Sequence, residues 1–210
     1  HVRPERLMKT LFTDEAYVKA NVDEARLMRR LFDLACNMQS HDTDMQLYSL
    51  FTDEERYDLW SCNNLYWYLT HACSPVTDGL MPYREADLLR NILDRADAAL
   101  KEGKKQATLR FGHESCLLPL VALLELNHYG ESYPDVEKLS EQWRAYDIFP
   151  MASNVQFVFF HKKGSNDVLV KVLLNEKETK LPVKTDVAPY YHWKDVESYY
   201  REKLDKYQHI

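Results

Sequence analysis

No apolar run in the 210 residues reaches the roughly 18 needed to cross a bilayer, so the sequence offers no membrane span. Nor is there a basic block, and the formal charge of −6 argues against nucleic acid as a partner. The four cysteines, Cys36, Cys62, Cys73 and Cys116, form no CxxC pair and show no metal-ligand spacing. Cys36 and Cys116 fall in apolar helical runs and read as buried thiols, and a Cys62–Cys73 bridge is open. G-x-S-x-G, HExxH and P-loop patterns are all missing, as are internal repeats and low-complexity tracts. No secretory leader pattern is visible. The chain starts at His1 rather than Met, and we read it as a mature or trimmed piece of something longer.

What is present suffices for a packed protein. Hydrophobic residues make up 45% and aromatics 12%, with 14 Tyr, so disorder is excluded. Residues 1–101 read as helical. Helices are expected over residues 4–11, after Thr13 or Asp14, and over 22–38. In the last of these Leu27, Leu31, Leu34 and Met38 form one apolar stripe, joined by Met28, Phe32 and Ala35. Thr52 and Glu55 have capping-box spacing and open an aromatic-rich helix to His71. Residues 74–82 are rich in breakers. An amphipathic helix follows over 84–101, and Gly103 ends it.

From residue 106 the pattern mixes strand and helix. Residues 155–160 and 168–174 are rich in β-branched and aromatic residues and are joined by the turn formers of HKKGSND. They predict a hairpin whose strands are covered on both faces. Residues 180–183 are a candidate third strand, and 193–206 an amphipathic closing helix with Val196, Tyr199, Tyr200 and Leu204.

Several groups invite a functional reading, and most have a plainer one. His41, Asp42 and Asp44 could bind a metal, but short Asp residues in a loop are turn formers. Lys162 and Lys163 could meet a phosphate, although a hairpin tip is ordinarily just solvated. Tyr66, Trp67 and Tyr68 read as core, and Asn154 as turn chemistry before a strand.

The stretch 106–127, QATLRFGHESCLLPLVALLELN, is different. A β-prone run, 108–111, meets Gly112. The titratable pair His113 and Glu114 comes next, followed by a segment too apolar for a surface helix. Proline is tolerated in the first helical turn, so Pro119 puts the helix start near Ser115 or Cys116. The pair then lies at a strand-to-helix bend, where open α/β folds bind ligands and helix N–H groups attract anions. The plainer reading is a histidine bonded to backbone and an acid capping the helix.

RFGHES, with Leu109 before it and 117–120 after it, resembles the C-terminal signature of the histidine acid phosphatases. It is most similar to the branch of multiple inositol polyphosphate phosphatases and phytase-like enzymes. The segment 150–154, the run VLVKVLLNEKETKLP and the late Tyr-Tyr-His-Trp agree in order. CNNLYWYLTHACSPVTDGLMPYREADLLRNIL resembles the helical insert of bacterial members. There are two departures. The family's nucleophilic RHGxRxP motif, with its phosphate-clamping arginines, is not in these residues. Glu114 also follows His113 directly, where many members have His-Asp and the inositol polyphosphate branch often has His-Ala-Glu.

The resemblance implies an α/β fold in which a helical insert or cap, residues 1–101, precedes the C-terminal part of an α/β sandwich, residues 102–210. That sandwich is a central β-sheet flanked by helices. It implies a phosphomonoesterase with a phosphohistidine intermediate, inositol polyphosphates as candidate substrates, and a periplasmic or secreted location. No cofactor or metal is implied. The partners are a small phosphate ester and an N-terminal segment of the same protein. His113 would contact the phosphoryl oxygens, and Glu114 would protonate the leaving alcohol and then help to activate water. The helix end favours the Glu114 carboxylate by about 0.3–1 kcal/mol. A substrate charge ~5 Å away, at an effective dielectric of ~20, disfavours it by roughly 3 kcal/mol. Glu114 is therefore expected to hold its proton when substrate is bound. The alternative is a catalytically incomplete phosphate-binding or interaction module.

Overall fold

The computed structural model describes residues 2–207. The chain divides into two compact units, His1–Leu65 and Tyr66–Ile210. The division falls inside one helix, α4 (Asp53–His71).

The first unit holds α1 (Glu5–Leu11), α2 (Glu15–Asn21), α3 (Glu24–Asn37) and the start of α4. Asp14 and Asp23 cap α2 and α3 by accepting from Tyr17 N and Arg26 N. The expected capping box forms: Glu55 N donates to Thr52 Oγ1 and Thr52 N to Glu55 Oε2. Glu55 also takes a two-pronged bond from Arg6, which holds its carboxyl below the ordinary range. The core gathers Leu7, Met8, Val18, Met28, Ala35, Phe51 and Leu59. Met28 and Ala35 form the buried line of α3, while Leu34, expected inward, is 53% exposed. The helix turns its Met28 side inward, which places Leu34 toward solvent.

In the second unit α4 ends at His71. The breaker-rich stretch forms two 3-10 turns, Pro75–Thr77 and Met81–Glu85. Next come α5 (Ala86–Glu102), α6 (Glu114–Leu123), and single turns α7 (Leu139–Gln142) and α8 (Ala145–Ile148). Gly103 closes α5 with φ +66°, a conformation glycine adopts without strain. The hairpin is present as β1 (Val155–His161) and β2 (Val168–Leu174), antiparallel, with Phe157 opposite Val172. The short β3 (Lys177–Glu178) and β4 (Tyr191–His192) both add antiparallel to β2. Helix α9 (Trp193–Tyr207) packs on β2 and β4 and buries Trp193, Val196, Tyr200 and Leu204.

Three local expectations change. Residues 180–183 are not a strand; the third strand is β3, two residues long. The faces of strand β1 are only partly covered: it is half-buried over its first five residues and exposed at Phe160 and His161. Residues 108–111 are not a strand either. They run fully exposed, with Leu109 75% and Phe111 94% accessible. A strand needs a ladder partner for its N–H and C=O groups, and no strand of the described sheet pairs with this run.

Candidate functional site

Helix α6 sets the site. It buries Leu118 to Leu123 without a break, as its composition predicts. Its far end is held from α9: Lys203 Nζ donates to Leu123 O at 2.7 Å and Tyr200 OH to Leu124 O at 2.7 Å. Lys203 also pairs with Glu125 at 3.2 Å. Beyond that end the chain turns through left-handed Glu125 and Asn127, and Asn127 exchanges bonds with the backbone of Lys180. The axis of α6 is thus clamped, and its N-terminus is fixed in turn.

That N-terminus starts earlier than Pro119 suggests. Glu114 is the first helical residue and His113 the N-cap. Pro119 sits in the second turn, where its missing N–H would have bonded the carbonyl of Ser115. Ser115 lies only half-buried on the open first turn, where solvent can satisfy that carbonyl. The His113 carbonyl accepts from both Cys116 N and Leu117 N, each at 3.0 Å.

His113 and Glu114 are both exposed. Among the described residues neither side chain makes a hydrogen bond or ion pair, and His113 does not cap the helix with its ring. The plainer reading, a backbone-bonded histidine and a capping acid, is therefore not what forms. Two titratable side chains stand free over an uncapped helix N-terminus, an arrangement suited to binding an anion and moving a proton. The preceding run is anchored by Arg110, whose guanidinium donates to Asn91 Oδ1 on α5 at 2.8 Å.

Sequence reasoning missed the neighbours that the 3-10 turn Met81–Glu85 brings by packing on α6. Arg84, exposed on that turn, makes no hydrogen bond or ion pair among the described residues. Burial pushes the Glu85 carboxyl up, against the nearby Arg84 charge and the Cys116 thiol. His71, at the end of α4, is 7% exposed. Burial and the Arg84 charge push its imidazole below the ordinary value, and Glu114 pulls the other way. The one signal in sequence was His71 closing an aromatic helix.

The other candidates resolve simply. His41, Asp42 and Asp44 are exposed, and no group of three or more His, Cys, Asp or Glu among the described residues could hold a metal. Lys162 and Lys163 are exposed on the hairpin turn. Tyr68 is fully buried against Trp143, 5.2 Å between rings, whereas Tyr66 is 57% exposed. Asn154 joins the start of β1 to Asn175, with N–H to Oδ1 at 3.1 Å, as turn chemistry. All four cysteines are free; Cys116, expected buried, is exposed in the first turn of α6, and Cys36 is half-buried. An open groove of about 630 Å³ is lined by Asn127, Tyr146, Asp147 and Glu178, near the far end of α6. Neither His113 nor Glu114 lines it.

The pattern that defines the histidine phosphatase superfamily (branch 2) matches residues 5–175. Human multiple inositol polyphosphate phosphatase 1 is 28% identical over 134 residues, covering 58% of this chain and 27% of that protein. Two crystal structures of Bifidobacterium longum multiple inositol polyphosphate phosphatase share the fold. The phosphate complex superposes with a TM-score of 0.75 at 21% identity, over 86% of this chain and 40% of the other. The inositol hexasulfate complex superposes with a TM-score of 0.68 at 22% identity, over 84% and 38%. This chain thus spans 27% of the curated human relative and 38–40% of these bacterial chains.

Proposed function

Since the chain belongs to the histidine phosphatase superfamily (branch 2), we propose that it carries the proton-donor half of a phosphomonoesterase site for inositol phosphates. The observation that carries this reading is the free His113–Glu114 pair at the uncapped N-terminus of α6. The substrate class rests on the relatives, one of which is seen with phosphate and with inositol hexasulfate.

The other half is a segment bearing the family's RHGxRxP motif, which these residues lack. Its histidine nitrogen attacks phosphorus as the P–O ester bond breaks. His113 and the helix N–H groups meet the charge on the phosphoryl oxygens. Glu114 gives its proton to the departing alkoxide. Water then attacks the phosphohistidine, Glu114 takes up the proton, and inorganic phosphate leaves with the histidine restored. In this reading residues 1–101 serve as the insert and 102–210 as the phosphatase part, the exposed run at 108–111 pairing with strands of the missing segment. The protein works in the periplasm or outside the cell.

The departure at the acid position, and the nucleophile motif these residues lack, favour one second reading: a phosphate-binding or interaction module without turnover. Phosphate release from phytate and from p-nitrophenyl phosphate separates the two. The protein joined to an RHGxRxP segment should hydrolyse both, and the 210 residues alone neither. Failure of the joined form would refute the enzyme reading; turnover by the 210 residues alone would refute the half-site. Intact mass, or a co-purifying second fragment, shows which form is in hand.

A further inference from the structure

The groove near the far end of α6 lies apart from His113 and Glu114, and its wall carries an open ladder edge. It holds about 630 Å³, a volume that suits a short peptide. Among the described residues six other than glycine have left-handed backbone, and four of them line this groove: Asn127, Ala152, Asn175 and Glu176. Such backbone is strained without glycine and gathers at functional sites.

Strand β3 forms part of the wall. Thr179 N donates to Val172 O at 3.1 Å, so Thr179 and, two residues earlier, Lys177 turn their backbone groups toward β2. By the alternation of an antiparallel ladder, Glu178 turns its N–H and C=O the other way. So does Lys180, and there Asn127 completes the ladder: its N–H donates to Lys180 O and its Oδ1 accepts from Lys180 N, both at 2.9 Å. At Glu178, the next outward position, no described residue takes that place.

Tyr129 lines the same groove. It is 7% exposed, and its hydroxyl makes no hydrogen bond among the described residues. Burial and the Asp147 charge push its phenol up, so it stays a neutral donor and acceptor. Three carboxylates share the lining with one lysine, Lys177. Glu178 is tied to Lys171 at 2.9 Å, Asp147 has Arg144 only at 3.9 Å, and Glu176 has no ion pair or hydrogen bond among the described residues. The complementary ligand is cationic, with a proton to give to the Tyr129 oxygen.

We propose that this groove docks an extended peptide, which adds as a strand against Glu178 and lays a lysine side chain against Tyr129 and the groove carboxylates. Main-chain bonds supply the affinity and the groove selects the side chain. Met151, 95% exposed and part of the lining, offers apolar contact to a flanking residue. The site is independent of the phosphatase reading and stands without it.

Fluorescence anisotropy of a labelled Thr-Val-Lys-Val-Thr peptide on the 210-residue chain tests it, with hydrogen exchange to locate the contact. Binding should saturate, the Glu178 amide should exchange more slowly, and the same peptide with glutamate in place of lysine should bind about tenfold more weakly or worse. Tyr129→Phe removes no bond within the fold and should weaken the lysine peptide about ten- to hundredfold. Glu176→Lys, which reverses a charge on the lining, should weaken it as well. No binding, equal binding of the two peptides, an unprotected Glu178 amide, or full affinity in both variants would overturn the proposal. Spermidine that competes as tightly as the lysine peptide would overturn the peptide as occupant.

Discussion

Replacing Glu114 with Gln separates chemistry from stability, because the structure gives this side chain nothing to hold. It makes no hydrogen bond or ion pair among the described residues and sits exposed at the first position of α6. The only structural energy lost is the attraction between a carboxylate and the helix N-terminus, about 0.3–1 kcal/mol. For a chain of this size that lowers Tm by at most about 4 °C. The catalytic cost is set differently. A phosphate charge ~5 Å from the carboxylate at an effective dielectric of ~20 favours the protonated acid by roughly 3 kcal/mol, about two decades in the protonated fraction. A positioned acid is worth about 10²–10⁴ in rate. Glu114→Gln in the protein joined to its nucleophile segment should therefore cut kcat on an alkyl phosphate about 10²–10⁴-fold. Hydrolysis of p-nitrophenyl phosphate, whose leaving group departs as a stable anion, should be nearly spared. Thermal melting and parallel steady-state assays on the two substrates read both effects. Equal loss on both substrates, with Tm unchanged, would refute the proton-donor role; a large fall in Tm would refute the claim that the side chain is structurally idle.

Other consequences can be checked alongside. His192 donates from both ring nitrogens, to Asp167 at 3.0 Å and Asp186 at 2.9 Å, and these bonds hold its imidazole above the ordinary value. Its contribution to stability is fully present below about pH 6.5, the unfolded value, and is lost as pH rises through the raised folded one. Hydrogen exchange at Val187 and Tyr190 should quicken over that window relative to amides elsewhere, and His192→Phe should abolish the dependence. Tyr68→Phe strips the acceptor from Tyr133 N, which bonds the Tyr68 hydroxyl at 2.7 Å. The loss should be about 1–3 kcal/mol in urea melts, and no change in the midpoint would contradict it. With a thiol reagent at pH 8, exposed Cys116 should react first and Cys73 last, since burial pushes the Cys73 thiol up to about 11. Mass mapping of the modified peptides reads the order.

The parts legible in sequence were those written in local grammar. Thr52 and Glu55 announce a capping box, Gly103 a left-handed helix end, and HKKGSND a hairpin turn; each acts within a few residues. The position of His113 and Glu114 at the start of a buried helix was legible because a polar pair ahead of so apolar a run marks a helix end. What escaped depends on distant partners. Residues 108–111 have strand composition, yet strand is a property of a pair. Pro119 was placed in the first turn by a rule about lost bonds, but the bond it forgoes falls where solvent can replace it. Arg84 comes near the site because the 3-10 turn Met81–Glu85 packs on α6, and His71, at the end of α4, meets the charges of Arg84 and Glu114. Apart from the place of His71 at the end of an aromatic helix, nothing local in either residue marks that meeting.

The exposed run before His113 bears on how the isolated protein must be handled. Residues 104–112 offer open backbone, and Leu109 and Phe111 project into solvent at 75% and 94% exposure. An unpaired, apolar, β-prone edge is a template for any other such edge. In a concentrated sample the nearest match is the same run on a second molecule. Scattering and sedimentation should therefore show self-association that grows with concentration, and a Phe111→Lys substitution should suppress it. Ligand titrations on the isolated chain belong in the dilute regime, where this edge stays free.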